Sequence, residues 1–308
     1  PVLYGFKHFY PGIRVVGVVF NFVASVAHYA YLQQACVDAG VEALGYIPKD
    51  ESIVIPSRHL GLSIDETFCF DAFADRVAEV IDKTVNVDRL LELCTVEFSG
   101  EQTEDVVCSG NRKIAIARDE AFNFMYRENV EALKRAGEVV FFSPLHDKRL
   151  PDADLVYFPG GYPELYLPEL AANEGMRQAV RKYCETGGRV LAECGGMMYL
   201  CDTITSDDGK VYPMAGVLKQ GATMEQMKLK LGYREVRVNG QRIRGHEFHY
   251  SRILPGHEKI PVIGTIYNAK DMVVDTPVYT YKNVLASYIH FYWGECGIDH
   301  FLMLMSQK

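Results

Sequence analysis

R-V-L-A-E-C-G-G-M-M-Y-L, residues 189–200, is the stretch on which the reading of this chain turns. Val190, Leu191 and Ala192 predict the end of a buried strand, and Gly195 and Gly196 predict the opening of a helix through Leu200. A cysteine between a strand end and such a helix start sits on a sharp turn that presents its sulfur, and the glycines allow backbone and substrate to approach. The positive end of the helix favours thiolate over thiol. Cys194 is therefore expected to be a nucleophile with a lowered pKa. The alternative is a buried structural cysteine, a common state for this residue.

The pattern around this stretch is alternating. Upstream, residues 113–118 (K-I-A-I-A-R) predict a strand and residues 123–136 an amphipathic helix stopped by Gly137. Strands are expected at 139–143 and 154–159, and a helix at 174–186 closed by Gly187 and Gly188. Strand and helix in alternation predict an α/β domain with a mainly parallel sheet. Beyond Cys201 short strands dominate, at 233–238, 243–250, 261–267, 278–281 and 284–290, and antiparallel pairs that extend or flank the main sheet are expected.

Two further pieces complete a reaction. Gly160-Gly161 follows a predicted strand, and backbone N–H groups at Gly161 and Gly195 are expected to converge as an oxyanion hole; the alternative for the glycine pair is an ordinary turn. His290, in A-S-Y-I-H-F-Y-W-G, ends a late apolar strand from which a base is presented rigidly. The run R-G-H-E-F-H-Y-S (residues 244–251) adds His246, Glu247 and His249. On a strand, residues three apart face opposite ways, and H-E-F-H lacks the i, i+4 helical spacing of a metal motif. No metal is expected here; a substrate-facing or interdomain role is.

Before residue 97 the chain predicts one βαβ unit, with strands at 14–21 and 41–47 around a helix at 28–39 stopped by Gly40. Arg58 and His59, in P-S-R-H-L-G-L, fall in a loop where ligands of open α/β sheets bind, or are simply solvated. Ser63 to Glu66 has capping-box form, and helical periodicity continues to Cys94 with a break near Asn86. No G-x-x-x-x-G-K-[ST] phosphate loop occurs; Gly209-Lys210 lacks the upstream glycine. Two strands and two or three helices are too few for a complete doubly wound domain. The polar, aperiodic residues 97–112 are the expected boundary.

Composition narrows the function. A chain of 308 residues allows about two domains. A net charge of -8 argues against general nucleic-acid binding, and no apolar run reaches the roughly 20 residues of a membrane span. Eight cysteines without a C-x-x-C pair indicate neither a zinc site nor a disulfide framework, so a reducing cytoplasm is the expected compartment.

In order along the chain, V-V-G-V-V-F-N, G-Y-I-P-K-D, P-S-R-H-L-G-L, F-P-G-G-Y-P-E, A-E-C-G-G-M-M-Y-L, L-G-Y-R-E-V, R-G-H-E-F-H-Y-S and A-S-Y-I-H resemble the cobyrinic acid a,c-diamide synthases, cobalamin-pathway glutamine amidotransferases. The resemblance covers essentially the whole chain. It implies the C-terminal part of a dethiobiotin-synthetase-like, P-loop ATP-binding synthase domain (1–96), a linker (97–112) and a class I glutamine-amidotransferase-like, flavodoxin-like domain (113–308). It also implies ATP, Mg²⁺ and glutamine as ammonia donor, with the a and c carboxylates of a corrin acid as acceptors. Cys194 then forms a thioester and His290 is its base. Arg58, His59, His246, Glu247 and His249 become candidates for substrate contact, and a homodimer stays open.

Two departures from the family pattern stand out. The phosphate loop is missing and the chain opens on Pro1, from which a longer parent or a degenerate form is expected. Where class I relatives place Glu two residues after the histidine, this chain has Tyr292, so a dyad is expected and what orients His290 stays open. Cobyric acid synthases, nickel-tetrapyrrole a,c-diamide synthases and a non-catalytic scaffold or partner subunit are the rival readings.

Overall fold

The computed structural model describes residues 1–10, 12–55, 57–58, 61–62, 68–97, 110–294 and 298. His59 and the capping-box residues 63–66 lie outside the described residues, as does the side chain of Arg58. The chain divides into two compact units, Pro1–Thr103 and Glu104–Lys308.

The first unit opens with α1 (Val2–His8), followed by β1 (Gly17–Val23), α2 (Val26–Ala39) and β2 (Glu42–Pro48). β1 and β2 pair in parallel, which makes the expected βαβ unit. Its helix has defined ends for simple reasons. The Ser25 hydroxyl accepts from the His28 N–H, and Gly40 closes the helix at φ 62°, where a side chain would be strained. A two-residue hairpin, β3 (Ser57–Arg58) and β4 (Gly61–Leu62), precedes α3 (Phe70–Thr84) and α4 (Val87–Cys94). The break between these helices is made by Asn86. Its side chain caps α4 at the Arg89 N–H, and its own N–H donates to the Leu44 carbonyl on β2.

The second unit is built on a sheet of β5 (Arg112–Ala117), β6 (Gly137–Phe142), β7 (Leu155–Phe158), β8 (Arg189–Glu193), β16 (Val278–Tyr281) and β17 (Val284–Ser287). Among the described residues its order is β16-β17-β8-β7-β5-β6, parallel throughout except for the β16 edge. β7 and β17 are buried at every residue, as strands covered on both faces must be. The connecting helices are α5 (Arg127–Ala136), α6 (Leu167–Ala172), α7 (Glu174–Glu185) and α8 (Gly195–Leu200).

α5 begins four residues later than its periodicity predicts. The Asp119 carboxylate accepts from the N–H groups of Ala121 and Phe122, and this local turn competes with helix. Phe124 then forms a bridge with Gly160 instead of joining the helix.

After α8 the chain runs through β9 (Cys201–Thr205), β10 (Val211–Pro213), β11 (Leu218–Thr223), β12 (Lys230–Val238), β13 (Gln241–His249), β14 (Arg252–Leu254) and β15 (Thr265–Asn268). β18 (Ile289–Phe291) comes last. The expected antiparallel pairs form in two flanking sheets, β10-β9-β11-β14 and β15-β12-β13-β18, although β9 and β11 pair in parallel. β17 lies in the main sheet and β18 in a flanking one, so the chain changes sheet at Tyr288. Asn129 of α5 fixes the far side of that change. Its amide donates to the Phe291 carbonyl at 2.7 Å and its oxygen accepts from the Trp293 N–H at 2.8 Å. Ile114, Leu155, Leu191, Val236, Ile243, Ile289 and Trp293 share one buried cluster, which joins the main sheet to the β12–β13 ribbon.

Candidate active site

The site lies at the carboxyl ends of β7 and β8, where ligands of parallel sheets bind. Cys194 follows β8 directly at φ 45°, ψ -107°. A non-glycine residue at positive φ is strained, and the surroundings hold it there. Its N–H donates to the Ser287 carbonyl of β17 at 2.8 Å, and its carbonyl accepts from Met198 N–H in α8. Helix crossing requires Gly196, because a Cβ there would meet the Phe158 carbonyl oxygen at 2.4 Å.

The Gly160-Gly161 loop ties the pieces together. A Cβ at Gly195 would lie 2.8 Å from the Gly161 carbonyl oxygen, so the loop packs directly on the turn after Cys194. A Cβ at Gly160 would lie 2.2 Å from His290 Cε1, so the same loop touches the histidine ring. Gly161 sits at φ 154° against the Ala121 carbonyl. On either side of it, the Gly160 N–H donates to Phe124 and the Tyr162 N–H to Ala121. The structure thus brings Cys194, Gly160, Gly161, Gly195 and His290 to one place, from the ends of β7 and β8 and from β18.

Their electrostatics differ from the sequence expectation in one respect. The thiol of Cys194 is not lowered. Burial pushes it well up, with the carboxyls of Glu164, Glu193 and Glu247 adding to the rise, and only the Gly195 N–H works against them. A six-residue helix that starts inside the protein does not offset the loss of water around the sulfur. His290 moves the other way, down to about 3, through burial and then through His246 and His249. Burial favours the neutral form of both groups.

Two carboxyls beside the cysteine were not singled out from the sequence. Glu193, fully buried, is pushed by burial up to about 8, although Tyr157 Oη donates to it at 2.8 Å and the Phe291 N–H at 3.2 Å. Half-buried Glu164 is raised by burial to about 7. Both stood in the quoted motifs, A-E-C-G-G and G-G-Y-P-E, where only their neighbours drew attention.

The R-G-H-E-F-H-Y-S run divides by face, as strand geometry requires. Glu247 and His249 point inward. Arg234 Nε donates to Glu247 at 2.7 Å, Thr276 Oγ1 at 2.8 Å and His249 Nε2 at 2.7 Å. Burial opposes ionisation of Glu247, but the hydrogen bonds from His249 and Thr276, with the charges of His249 and Arg234, hold it at about 2. His249 Nδ1 donates to the Ser251 carbonyl at 2.8 Å and its ring stacks on Tyr288 at 3.5 Å. With both ring nitrogens so engaged, His249 offers no lone pair to a metal. Among the described residues no group of three His, Cys, Asp or Glu is placed to hold one. Between Glu247 and His249, the Phe248 carbonyl lies 3.9 Å from Cys194 Sγ.

His246 faces the other way. It pairs in register with His290 across β13 and β18, and their rings stack at 4.8 Å and 16°. Beside it, Arg234, Glu235, Arg237, Arg242, Arg244 and Asp271 line a cavity of about 530 Å³, in which Arg237 and Arg242 pair with Glu235. Asn129, Phe124 and Tyr126, which support the site from outside its motifs, carried no sequence signal.

Residues 113–296 match the CobB/CobQ-like glutamine amidotransferase domain. The cobyrinate a,c-diamide synthase of Salmonella typhimurium is 35% identical over 306 residues, covering 94% of this chain and 67% of that protein. The hydrogenobyrinate a,c-diamide synthase of Pseudomonas aeruginosa is 36% identical over 291 residues, covering 94% of this chain and 66% of that protein. A solved glutamine amidotransferase structure shares 22% identity at a TM-score of 0.43, over 63% of this chain and 99% of that one. The chain spans about two thirds of the length of these curated relatives. It belongs to the cobyrinate a,c-diamide synthase family, and residues 113–296 are its glutamine amidotransferase domain.

Proposed function

We propose that residues 113–308 hydrolyse glutamine through Cys194 and His290 and that the ammonia amidates the a and c carboxylates of a cobyrinic acid. One observation carries the hydrolytic step. The Gly160-Gly161 loop touches the His290 ring on one side and the turn after Cys194 on the other. As the sulfur attacks the glutamine side-chain carbonyl, the thiol proton passes to the His290 ring in the same step, so no free thiolate has to form in the buried site beforehand. The N–H groups of Gly161 and Gly195 receive the oxyanion. His290 gives its proton to the leaving ammonia, and a thioester remains on Cys194. Water then attacks the thioester with His290 as base, and glutamate leaves. The neutral Glu193 beneath the site suits this sequence, because an ionised carboxylate there would oppose the thiolate.

The acceptor reading rests on the family. Arg58 and His59 are proposed from the sequence as contacts of a polyanionic substrate. ATP and Mg²⁺ are the expected co-substrates of amidation. The sequence has no G-x-x-x-x-G-K-[ST] phosphate loop to cradle the nucleotide. The ATP step is therefore assigned to no residue of this chain.

We further propose that residues 1–96 are part of a larger synthase domain. Their two-stranded parallel sheet and its helix leave the apolar side chains of Phe22, Val26, Tyr31 and Val37 exposed, as expected of elements that pack further. Glutamate release from glutamine tests the core of the reading. Cys194→Ala is expected to abolish it with the fold intact, and release by that variant at the parent rate would remove the nucleophile. Product regiochemistry, with cobalt-bearing and metal-free rings as acceptors, separates this reading from cobyric acid synthesis.

A further inference from the structure

A histidine that acts as base needs its ring held. The expected carboxylate position is taken by Tyr292, and among the described residues His290 Nδ1 has no hydrogen-bond partner although it is buried. The ring is instead held by packing. His246 stacks on one face at 4.8 Å, Phe124 meets it edge-on at 4.6 Å, and Gly160 closes against Cε1 and Nδ1. His246 is itself tethered, with Tyr126 Oη 2.6 Å from its Nδ1. Tyr126 in turn packs edge-on against Tyr292 at 5.5 Å and 88°. The residue in the acid's place thus supports the base through two intermediate rings.

Building on the Cys194–His290 dyad, we propose that His246, tethered by Tyr126, is the positioning residue of His290 and takes the part that a carboxylate plays in a triad. A Tyr126 hydroxyl that donates to Nδ1 leaves His246 neutral with its proton on Nε2. Burial keeps it so, since it lowers the affinity of His246 for a second proton. A neutral ring lying flat on His290 fixes the plane from which the base faces the cysteine. It also offers its π-face to the imidazolium that forms when His290 takes the thiol proton. A carboxylate would attract that charge more strongly, but it would also raise the resting proton affinity of His290. The stacked ring leaves the base unprotonated until the thiol gives up its proton.

The titratable and charged groups around His290 fit this division. His246 faces it from β13, with Tyr126 behind. Cys194 and Glu193 approach from the end of β8, Glu193 by way of the Phe291 N–H. His249, Glu247 and Arg234 lie on the inner face of the ribbon, where they pair with one another.

The test uses the whole 308-residue chain. Iodoacetamide alkylation of Cys194 is followed by mass spectrometry across a pH series, beside glutamate release. His290→Ala sets the rate without a base. His246→Ala is expected to slow alkylation about 10- to 100-fold, the cost of misplacing a reacting group by about 1 Å. It is also expected to move the acid limb of the profile to higher pH, because a ring freed of its stack is rehydrated. His246→Phe keeps the stack and is expected to recover most of the rate. Tyr126→Phe loses only the tether and should fall between. If His246→Ala reacts like the parent while His290→Ala is slow, His246 has no positioning part. If His290→Ala reacts like the parent, the dyad itself fails and this inference with it.

Discussion

Gly160→Ala isolates the geometry of the site with a single methyl. The position is not in the left-handed region, so alanine adds no backbone strain and the effect is steric. The new Cβ would stand 2.2 Å from His290 Cε1 and 2.8 Å from Nδ1. To reach an ordinary contact of 3.4 Å the ring must retreat by about 1.2 Å. It cannot retreat freely, because Phe124 and the stacked His246 pack against it. A displacement of about 1 Å costs a base on the order of 100-fold in rate, or about 2.7 kcal/mol of barrier. Glutamate release should therefore fall by about that factor in kcat, with KM for glutamine little changed. Thermal unfolding checks that the fold survives. The double variant Gly160→Ala, His290→Ala should be no slower than His290→Ala alone, since both act on one group. Full activity in Gly160→Ala, or additive losses in the double variant, would refute the reasoning.

Two further outcomes follow from the buried polar groups. Asn129→Ala removes both hydrogen bonds that α5 makes to the chain after His290, at Phe291 and Trp293. It should destabilise the second unit by about 2–4 kcal/mol in urea unfolding, because two buried backbone groups lose their partner. Glu193 has a folded-state pKa near 8, above its ordinary 4.5, so it stabilises the fold fully below 4.5 and loses that contribution as pH rises through 8. Glu193→Gln should flatten the decline of urea midpoint over that window. On the acid side His290, held near 3, makes the opposite demand: stability is complete above the ordinary imidazole pKa of 6.5 and falls as pH drops toward 3. His290→Ala should soften that acid loss.

Much of the architecture was legible because it is local. Glycines that end helices and β-branched runs between them announced the alternation of strand and helix in the second unit. The flanking glycines marked the turn at Cys194, and the two-residue period of a strand already separated His246 from His249. Where helix and periodicity part, a local competitor intervenes. Asp119 captured two N–H groups and delayed α5, and that delay placed Phe124 beside Gly160.

The sequence by itself determined the turn at Cys194, the order of the candidate residues and the family, since these depend on residue type and short spacing. Only the tertiary structure decided in which direction the proton affinities of the pair move. The pKa of Cys194 follows from how much water is excluded and which carboxyls stand near, sums over space to which a helix end contributes little. What holds His290 is likewise a matter of space: Tyr126 and His246 are 120 residues apart in the chain, and no spacing rule joins them. Their contact exists because β13 and β18 pair in a register that sets His246 against His290.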